Sequence, residues 1–242
     1  MPSSPRHTLF CDSYALSDAS TLTIDGDEAE HAIKSRRLRA GDLVSVTDGR
    51  GILVTARIEN ARKTSIDLAV VERTQAPRIT PALHVRSATP KGQRLDKMID
   101  QLSQIGVASW APLETNLGVV DPGDRKLDRL NRIAIEAAKQ CRRSWLLEIG
   151  ASAPINQAVR TTKAIVIADT TGEPYRASGA SEITLLVGPE GGFTEDEIAA
   201  ARTQGGPGAV VASFGPLAMR IETAAVVASG IILHTEQAPV RH

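Results

Sequence analysis

The sequence predicts an α/β protein with a mostly parallel sheet, preceded by a small β-barrel. Two observations carry this prediction. The first 73 residues hold short apolar runs separated by turn signals, which is the pattern of a small barrel. From residue 82 onward, apolar runs of strand length alternate with amphipathic helices, which is typical of a parallel sheet. A chain of 242 residues is long enough for two such domains.

The N-terminal domain is predicted to span residues 1–73. Three strands are predicted, over residues 43–47, 52–58 and 65–71. The glycines of the segment 48–51 (DGRG) indicate a turn between the first two, and a helix is predicted before them at residues 27–37. Residues 74–81 (TQAPRITP) are predicted to be a linker, because they hold two prolines and no periodicity.

The C-terminal domain is predicted to span residues 82–242. Its predicted strands are residues 83–88, 110–113, 164–168, 183–187 and 209–213. Its predicted helices are residues 91–105, 125–141, 194–202 and 221–234. The last three strands are continuous apolar runs, as expected of strands covered on both faces. The longest apolar stretch, at residues 224–233, falls short of the about 20 residues that span a bilayer, so it predicts a buried helix.

Composition excludes several classes of protein. Aromatic residues make up only 3% of the chain, so stacking on exposed bases is not expected to be its main grip on nucleic acid. Cys11 and Cys141 form no CxxC pair and the five histidines are scattered, so no metal site is predicted. Two free thiols and a start without an apolar signal segment predict a cytoplasmic protein with no membrane association.

The loop after the predicted strand 183–187 is the strongest local feature (GPEGGFT, residues 188–194). Thr194 can cap the next helix, and Glu197 can return a hydrogen bond to the cap. Open α/β sheets bind ligands at the carboxyl ends of their strands, and glycines let a backbone approach a ligand closely. Taken alone, this loop fits a ligand site and a plain strand-to-helix turn equally well.

A second loop repeats this layout after the strand 209–213. Arg220 and Glu222 stand where its last helix begins. The alternative for Arg220 is an ordinary surface arginine, and a carboxylate at Glu222 can simply favour the helix dipole. Neither loop carries the lysine and hydroxyl of a phosphate-binding loop or a GxGxxG pattern, so a nucleotide-phosphate site is not supported.

Basic residues form two clusters that could contact phosphates, although a solvated helix face is the alternative. The first cluster is Lys34, Arg36, Arg37 and Arg39, and the second contains Arg125, Arg129, Arg132 and Arg143.

Five segments, in this order, resemble the 16S ribosomal RNA uridine N3-methyltransferases, a family of the SPOUT (trefoil-knot) superfamily. They are residues 31–42 (HAIKSRRLRAGD) with 48–51 (DGRG), 91–107, 133–143 (IAIEAAKQCRR), 185–198 (LLVGPEGGFTEDEI) and 214–225 (FGPLAMRIETAA). The resemblance implies that residues 1–73 are a PUA-like barrel that helps to hold RNA. It implies a SPOUT domain threaded as a trefoil knot over residues 82–242, and a homodimer.

The resemblance also implies the cofactor S-adenosyl-L-methionine, bound largely through main-chain contacts. The residues that it assigns to the cofactor are Asp169, Thr170, Gly188, Pro189, Glu190, Gly191, Gly192, Ser213, Phe214, Gly215, Pro216, Leu217 and Met219. The implied partner is 16S ribosomal RNA or the small ribosomal subunit.

N3 of uracil is a poor nucleophile until its proton leaves, and the negative charge then spreads onto the ring oxygens. Arg220 is the predicted cation that stabilises this charge, and Glu222 or a water accepts the proton.

The chain departs from the family pattern where arginines are usual, at Leu217 and within Asn116-Leu117-Gly118, and where lysine and glutamate are typical, at Gln101 and Gln104. Two alternatives therefore stay open: methylation of another RNA, such as transfer RNA or 23S ribosomal RNA, and a non-catalytic RNA-binding assembly factor.

Overall fold

A computed structural model of the chain describes residues 5, 7–12, 14–118, 124–160, 164–205 and 208–237. The chain packs into two compact units. The N-terminal unit comprises Met1–Arg78 together with Ile135–Leu146, and the C-terminal unit comprises Ile79–Ala134 and Leu147–His242. The periodicity of the sequence does not show that a stretch from the middle of the chain packs with the N-terminal unit.

The N-terminal unit is built on a curled five-stranded sheet with the order β1-β3-β4-β5-β2. Its elements are β1 (Thr8–Phe10), β2 (Thr21–Asp25), α1 (Gly26–Arg36), β3 (Leu43–Thr47), β4 (Ile52–Arg62) and β5 (Ser65–Gln75), with a short 3₁₀ turn at Tyr14–Ser17. Strands β4 and β5 run beyond their predicted ends because they pair with each other along their length, from Arg62 and Ser65 at one end to Ile52 and Gln75 at the other. Alternate residues of the strands, among them Val44, Val46 and Val54, form the buried core.

Gly49 and Gly51 of the DGRG turn both have a positive φ, and both lie close to the segment that packs on the turn. A Cβ added to Gly49 would lie 2.5 Å from Cγ of Leu146, and one added to Gly51 would overlap the ring of Trp145. Two backbone hydrogen bonds join the turn to this segment: Leu146 N donates to Gly49 O at 2.9 Å, and Gly51 N donates to Ser144 O at 2.8 Å. The turn and the segment Ile135–Leu146 therefore form one packed structure.

The C-terminal unit carries a parallel sheet with the order β12-β10-β11-β6-β7-β8, and β9 pairs with β7. Its elements are β6 (Ala82–Ser87), α2 (Gln93–Ile105), β7 (Ser109–Glu114), α3 (Asp124–Cys141), β8 (Glu148–Ile149), β9 (Ala153–Pro154), α4 (Ile155–Ala158), β10 (Ala164–Pro174), β11 (Glu182–Val187), α5 (Glu195–Gly205), β12 (Ala209–Ser213) and α6 (Ile221–Gln237). The last residues of α3, from Ile135 on, belong to the N-terminal unit. The predicted α/β class with a mostly parallel sheet is confirmed.

Helices cover both faces of this sheet. One face, with Leu83 and Val85 of β6, packs with α2 and α6. The other face, with Ile167 and Leu186, packs with α4 and α5. The inward face of α2 carries Leu95, Met98, Ile99 and Leu102, and Met98 and Leu102 are fully buried.

The prediction of two covered faces holds in part for β12, because Ala212 is buried in the core on one face and Val211 packs against the core on the other. This strand lies at the edge of the sheet and pairs with β10 alone, so Val210 is 46% exposed. In the described part of the chain, no helix is long and apolar enough to cross a membrane.

Candidate functional site

A pocket opens at the carboxyl edge of the parallel sheet, where β11 and β12 end and where β10 leaves its regular pairing after Ala168. The empty space at this site, which includes open solvent at its mouth, is about 680 Å³. It is lined by Ala168, Asp169, Thr170, Val187, Gly188, Pro189, Glu190, Gly192, Phe214, Gly215, Leu217, Ala218, Met219 and Ala224. Both loops singled out from the sequence thus meet at one site.

The first wall is the loop that follows β11. It turns back on itself, since Gly192 N donates to Pro189 O at 2.8 Å. A Cβ on Gly188 would approach the ring of Phe193 to 3.1 Å, so a side chain there would crowd the loop. The predicted cap is confirmed: Glu197 N donates to Thr194 Oγ1 at 3.3 Å, and Thr194 N donates to Glu197 Oε2 at 2.8 Å. The cap fixes where the loop ends and α5 begins.

The second wall is a bulge in β10. Ala168 and Glu173 both pair with Ala212 of β12, so the four residues between them are displaced from the sheet. Within the bulge, Oδ1 of Asp169 accepts hydrogen bonds from N and Oγ1 of Thr171, at 2.8 and 2.7 Å. The sequence predicts that this strand ends at Ala168, whereas pairing resumes after the bulge and continues to Pro174.

The charged side chains of the pocket lining are acidic. Among the described residues that line the pocket, Asp169 and Glu190 are carboxylates, and none is a lysine, arginine or histidine. Gly188, Gly192 and Gly215 of the glycine-rich loops and the apolar residues Phe214 and Met219 also line it. Such a lining suits a ligand with positive charge and does not suit a phosphate-rich nucleotide.

Most of the residues predicted to bind a cofactor line this pocket. Gly191, Ser213 and Pro216 belong to the same loops but do not line it. Sequence reasoning missed Ala168, Val187 and Ala224, which also line it, and Ala218, which lines it too, was predicted only as part of the second loop. Ala168 and Val187 end the parallel-paired stretches of β10 and β11. The signal that could have identified Ala168 and Val187 is their position at the ends of the apolar runs that predict these two strands.

Arg220 and Glu222 lie beside the pocket without lining it. Arg220 is exposed and directly follows Met219, and α6 begins at the next residue. The carboxylate of Glu222 is mostly buried, with Oε1 at 3.8 Å from Nη1 of Arg94. Its Oε2 is buried and has no hydrogen-bond partner among the described residues. An unsatisfied buried carboxylate oxygen is costly, so Oε2 of Glu222 is an open acceptor for a hydrogen bond from a ligand.

The predicted basic residues fall in both units. In the N-terminal unit, Lys34 pairs with Glu30, Arg36 contacts Nδ1 of His7 at 3.1 Å, and Arg37 ends α1 in a left-handed conformation. Arg39 is exposed and Arg143 is half-buried in the same unit.

In the C-terminal unit, Arg129 pairs with Asp96 at 2.7 Å and Arg132 is exposed. Arg125 lies in α3, but its side chain is outside the described residues. No group of three or more His, Cys, Asp or Glu that could hold a metal ion occurs in the described ranges.

Two exposed leucines stand at the loops around the pocket. Leu217 lines it and is 75% exposed, and Leu117 is 50% exposed. A Cβ on Gly191 would lie 3.1 Å from Cδ1 of Leu117, so Leu117 packs over the first wall. The neighbouring Asn116 N donates to Glu197 Oε1 at 2.8 Å, which ties this loop to the cap of α5.

Comparison with known proteins identifies the family. A profile of the RNA methyltransferase domain matches residues 78–233, and a profile of the RNA methyltransferase PUA domain matches residues 24–71. The "Ribosomal RNA small subunit methyltransferase E" of Mycobacterium bovis is 31% identical over 228 residues, covering 88% of this chain and 86% of the relative. The chain belongs to this family of RNA methyltransferases.

Solved structures agree with the fold of this RNA methyltransferase. A "probable rRNA-methyltransferase" from Porphyromonas gingivalis superposes with a TM-score of 0.81 at 28% identity, covering 97% of this chain and 100% of that one. A ribosomal RNA small subunit methyltransferase E from Neisseria gonorrhoeae, bound to S-adenosyl methionine, gives a TM-score of 0.80 at 20% identity, covering 93% and 95%. The combination of a PUA-like sheet and a SPOUT-type domain is therefore confirmed. The trefoil knot stays a prediction.

Proposed function

We propose that this methyltransferase uses S-adenosyl-L-methionine to methylate N3 of a uridine in 16S ribosomal RNA of the small ribosomal subunit. One observation carries the proposal: the loops Gly188–Gly192 and Ser213–Met219 form a single pocket at the carboxyl edge of the sheet in a member of the RNA methyltransferase family. The names of its relatives support ribosomal RNA as the substrate, and the Neisseria gonorrhoeae relative was solved with S-adenosyl methionine.

The pocket fits this cofactor in charge and in surface. S-adenosyl-L-methionine carries positive charge on its sulfonium and its ammonium, and Asp169 and Glu190 are the charged groups of the lining. Gly188, Gly192 and Gly215 leave backbone groups open to a ligand, while Phe214 and Met219 offer apolar surface. In this proposal, the thirteen residues assigned to the cofactor from the sequence bind it directly or hold the loops that do.

The cofactor supplies an electrophilic methyl group when it is bound. The protein must then orient the uracil and stabilise the negative charge that develops as N3 loses its proton. Arg220, exposed beside the pocket residue Met219, is the proposed cation for this charge. Glu222, whose buried Oε2 has no partner among the described residues, is the proposed proton acceptor.

The proposed division of labour follows the chain. Residues 1–73 would bind RNA as the PUA-like domain, residues 74–81 would link, and residues 82–242 would carry catalysis; the two profiles match 24–71 and 78–233. Two features of the structure modify these bounds: β5 extends to Gln75, into the predicted linker, and the segment Ile135–Leu146 packs with the N-terminal unit. The proposed phosphate contacts are Lys34, Arg36, Arg37, Arg39, Arg125, Arg129, Arg132 and Arg143. The proposed working form is a cytoplasmic homodimer without a metal.

Arg220→Ala tests the mechanism. We expect turnover to fall by about 10²–10³-fold, the usual loss when a group that stabilises transition-state charge is removed, while affinity for S-adenosyl-L-methionine is retained. Transfer of a labelled methyl group and calorimetry measure the two quantities. Arg202→Ala, which removes an exposed arginine from α5, is the matched control. Full turnover by the Arg220→Ala protein would refute the assignment.

Mass mapping of ribosomal RNA from cells that lack this protein tests the substrate. We expect the loss of one methyl group from a uridine of 16S ribosomal RNA. Another RNA is the second candidate substrate, and the exposed Leu117 and Leu217 favour it, because they stand where the family usually has cations. Loss of a methyl group from transfer RNA or 23S ribosomal RNA would establish that candidate, and no change at all would favour an assembly factor.

A further inference from the structure

The carboxylate of Glu236, in the last turn of α6, gathers donors from a distant loop. Its Oε1 accepts hydrogen bonds from the Tyr175 hydroxyl at 2.5 Å, from Ser178 N at 2.7 Å and from Ser178 Oγ at 2.8 Å. Its Oε2 accepts one from Gly179 N at 3.0 Å. One charged side chain thus holds the segment that follows β10 against the end of α6, and hydrogen bonds to a charged acceptor are stronger than neutral ones.

Tyr175 connects this carboxylate to the pocket. Its ring stacks on Phe214, with ring centroids 5.7 Å apart and an angle of 24° between the planes. Phe214 lines the pocket. Tyr175 N also donates to Ser213 O at 3.3 Å, which joins the residue to the strand that leads into the second loop. The side chain that forms part of the pocket wall is therefore backed by Tyr175 and, through it, by Glu236.

The same tyrosine stands at the end of the bulge wall. Strand β10 leaves its pairing with β12 after Ala168 and regains it at Glu173 and Pro174, immediately before Tyr175. Asp169 and Thr170, which line the pocket, lie in the four residues between these two attachments. Loss of the contact between Tyr175 and Glu236 would loosen the second attachment of β10 to β12, at Glu173 and Pro174. The bulge and the wall that contains Phe214 therefore both depend on this contact.

Near neutral pH, the protonation states of both side chains favour the hydrogen bond between Tyr175 and Glu236. Burial acts to raise the pKa of Glu236, but the hydrogen bonds from Tyr175, Ser178 and Gly179 outweigh it and the pKa is lowered. Burial and the neighbouring carboxylate raise the pKa of Tyr175, so its hydroxyl stays protonated and remains a donor.

We propose that Tyr175 and Glu236 are positioning residues that hold Phe214 and the bulge Asp169–Gly172 in the shape that the cofactor requires. This inference rests on the proposed use of S-adenosyl-L-methionine. Neither residue lines the pocket, so their effect is indirect. Loss of the contact lowers affinity for the cofactor and leaves the chemical step intact once the cofactor is bound.

Two conservative variants test the proposal in the full-length protein. Tyr175→Phe keeps the stacked ring and removes the hydroxyl donor, and Glu236→Gln keeps the shape and removes the charge. We expect Kd and KM for S-adenosyl-L-methionine to rise about tenfold, as for the loss of one hydrogen bond to a charged group. We expect kcat at saturating cofactor to stay close to that of the unmodified protein.

Ile99→Val is the matched control. Ile99 is fully buried in the same core but is absent from the pocket lining, so this variant lowers stability without changing a residue of the pocket or the hydrogen bonds to Glu236. We expect its Kd for the cofactor to be unchanged. If Ile99→Val weakened binding as much as Tyr175→Phe did, the effect would be one of general stability and the proposal would be wrong.

The remaining outcomes are also distinct. If the unmodified protein did not bind S-adenosyl-L-methionine in calorimetry, the proposed function would fail, and this inference with it. If the unmodified protein and both variants bound the cofactor equally well, only the inference would be overturned. A fall in kcat with unchanged Kd would overturn it too, because the pair would then act on catalysis and not on the shape of the pocket.

Discussion

At the scale of single residues, Gly172 lies where two backbone segments are in close contact beside the pocket. Gly172 ends the bulge in β10, and a Cβ there would lie 2.6 Å from both C and O of Val211. Backbone atoms of a paired strand cannot move aside cheaply. Gly230 is the opposite case, because it lies inside α6 and a Cβ added to it meets nothing within 4 Å. The sequence shows the two glycines alike, and only their surroundings separate them.

Substitution of these glycines by alanine is therefore expected to change stability in opposite directions. Gly172→Ala should lower the free energy of unfolding by about 1–3 kcal/mol, the usual cost of forcing extra volume into packed structure. Gly230→Ala should raise it by about 0.5–1 kcal/mol, because alanine is the better helix former. Urea unfolding monitored by circular dichroism measures both. A Gly172→Ala protein as stable as the unmodified chain would mean that the bulge is not in close contact with β12.

At the scale of elements, structure that depends on local sequence could be predicted, and structure that depends on long-range strand pairing could not. The start of α5 could be predicted because Thr194 and Glu197 are three residues apart and bond each other. The second attachment of β10 at Glu173 and Pro174 could not, because it depends on pairing with β12, far along the chain. The short strands β1 and β2 escaped prediction for the same reason, since β1 pairs with β3 and β2 with β5. The pocket loops were found, and the bulge that completes their site was only partly anticipated through Asp169 and Thr170.

The cap of α5 is expected to stabilise more than its own helix. Thr194→Ala should cost about 1 kcal/mol, as usual for the loss of an N-cap side chain. Glu197→Ala should cost more, because Oε1 of Glu197 also accepts the amide of Asn116. The double variant should lose less than the sum of the single losses, since the two side chains bond each other. Thr203→Ala is the control, because that hydroxyl donates to Ala199 O within the same helix. Additive losses in denaturant unfolding would contradict the cap.

At the scale of the whole molecule, the N-terminal unit is not continuous in sequence. Lys139 is almost fully buried there, with its Nζ at 2.7 Å from Oε2 of Glu28 and at 2.7 Å from Oε1 of Glu136. Trp145 Nε1 donates to Ala76 O at 2.9 Å, and the guanidinium of Arg78 lies 4.0 Å from the centre of the Trp145 ring. Periodicity identified α3 as a helix but could not show which unit its end joins, because an amphipathic pattern does not name its partner.

A fragment of residues 1–78 is therefore expected to be incomplete on its own and to bind the missing segment. The fragment contains no tryptophan, since the two tryptophans of the chain are Trp110 and Trp145. A peptide of residues 135–146 (IEAAKQCRRSWL) carries Trp145, so its fluorescence reports on its own binding. Addition of the fragment should shift the peptide's emission to shorter wavelength, saturably, and should raise the fragment's resistance to urea, because bound partners stabilise the folded state. A peptide with Lys139→Ala should bind more weakly, since Glu28 would then lose its buried cation. If emission and urea resistance were both unchanged, the segment would not be part of the folded N-terminal unit.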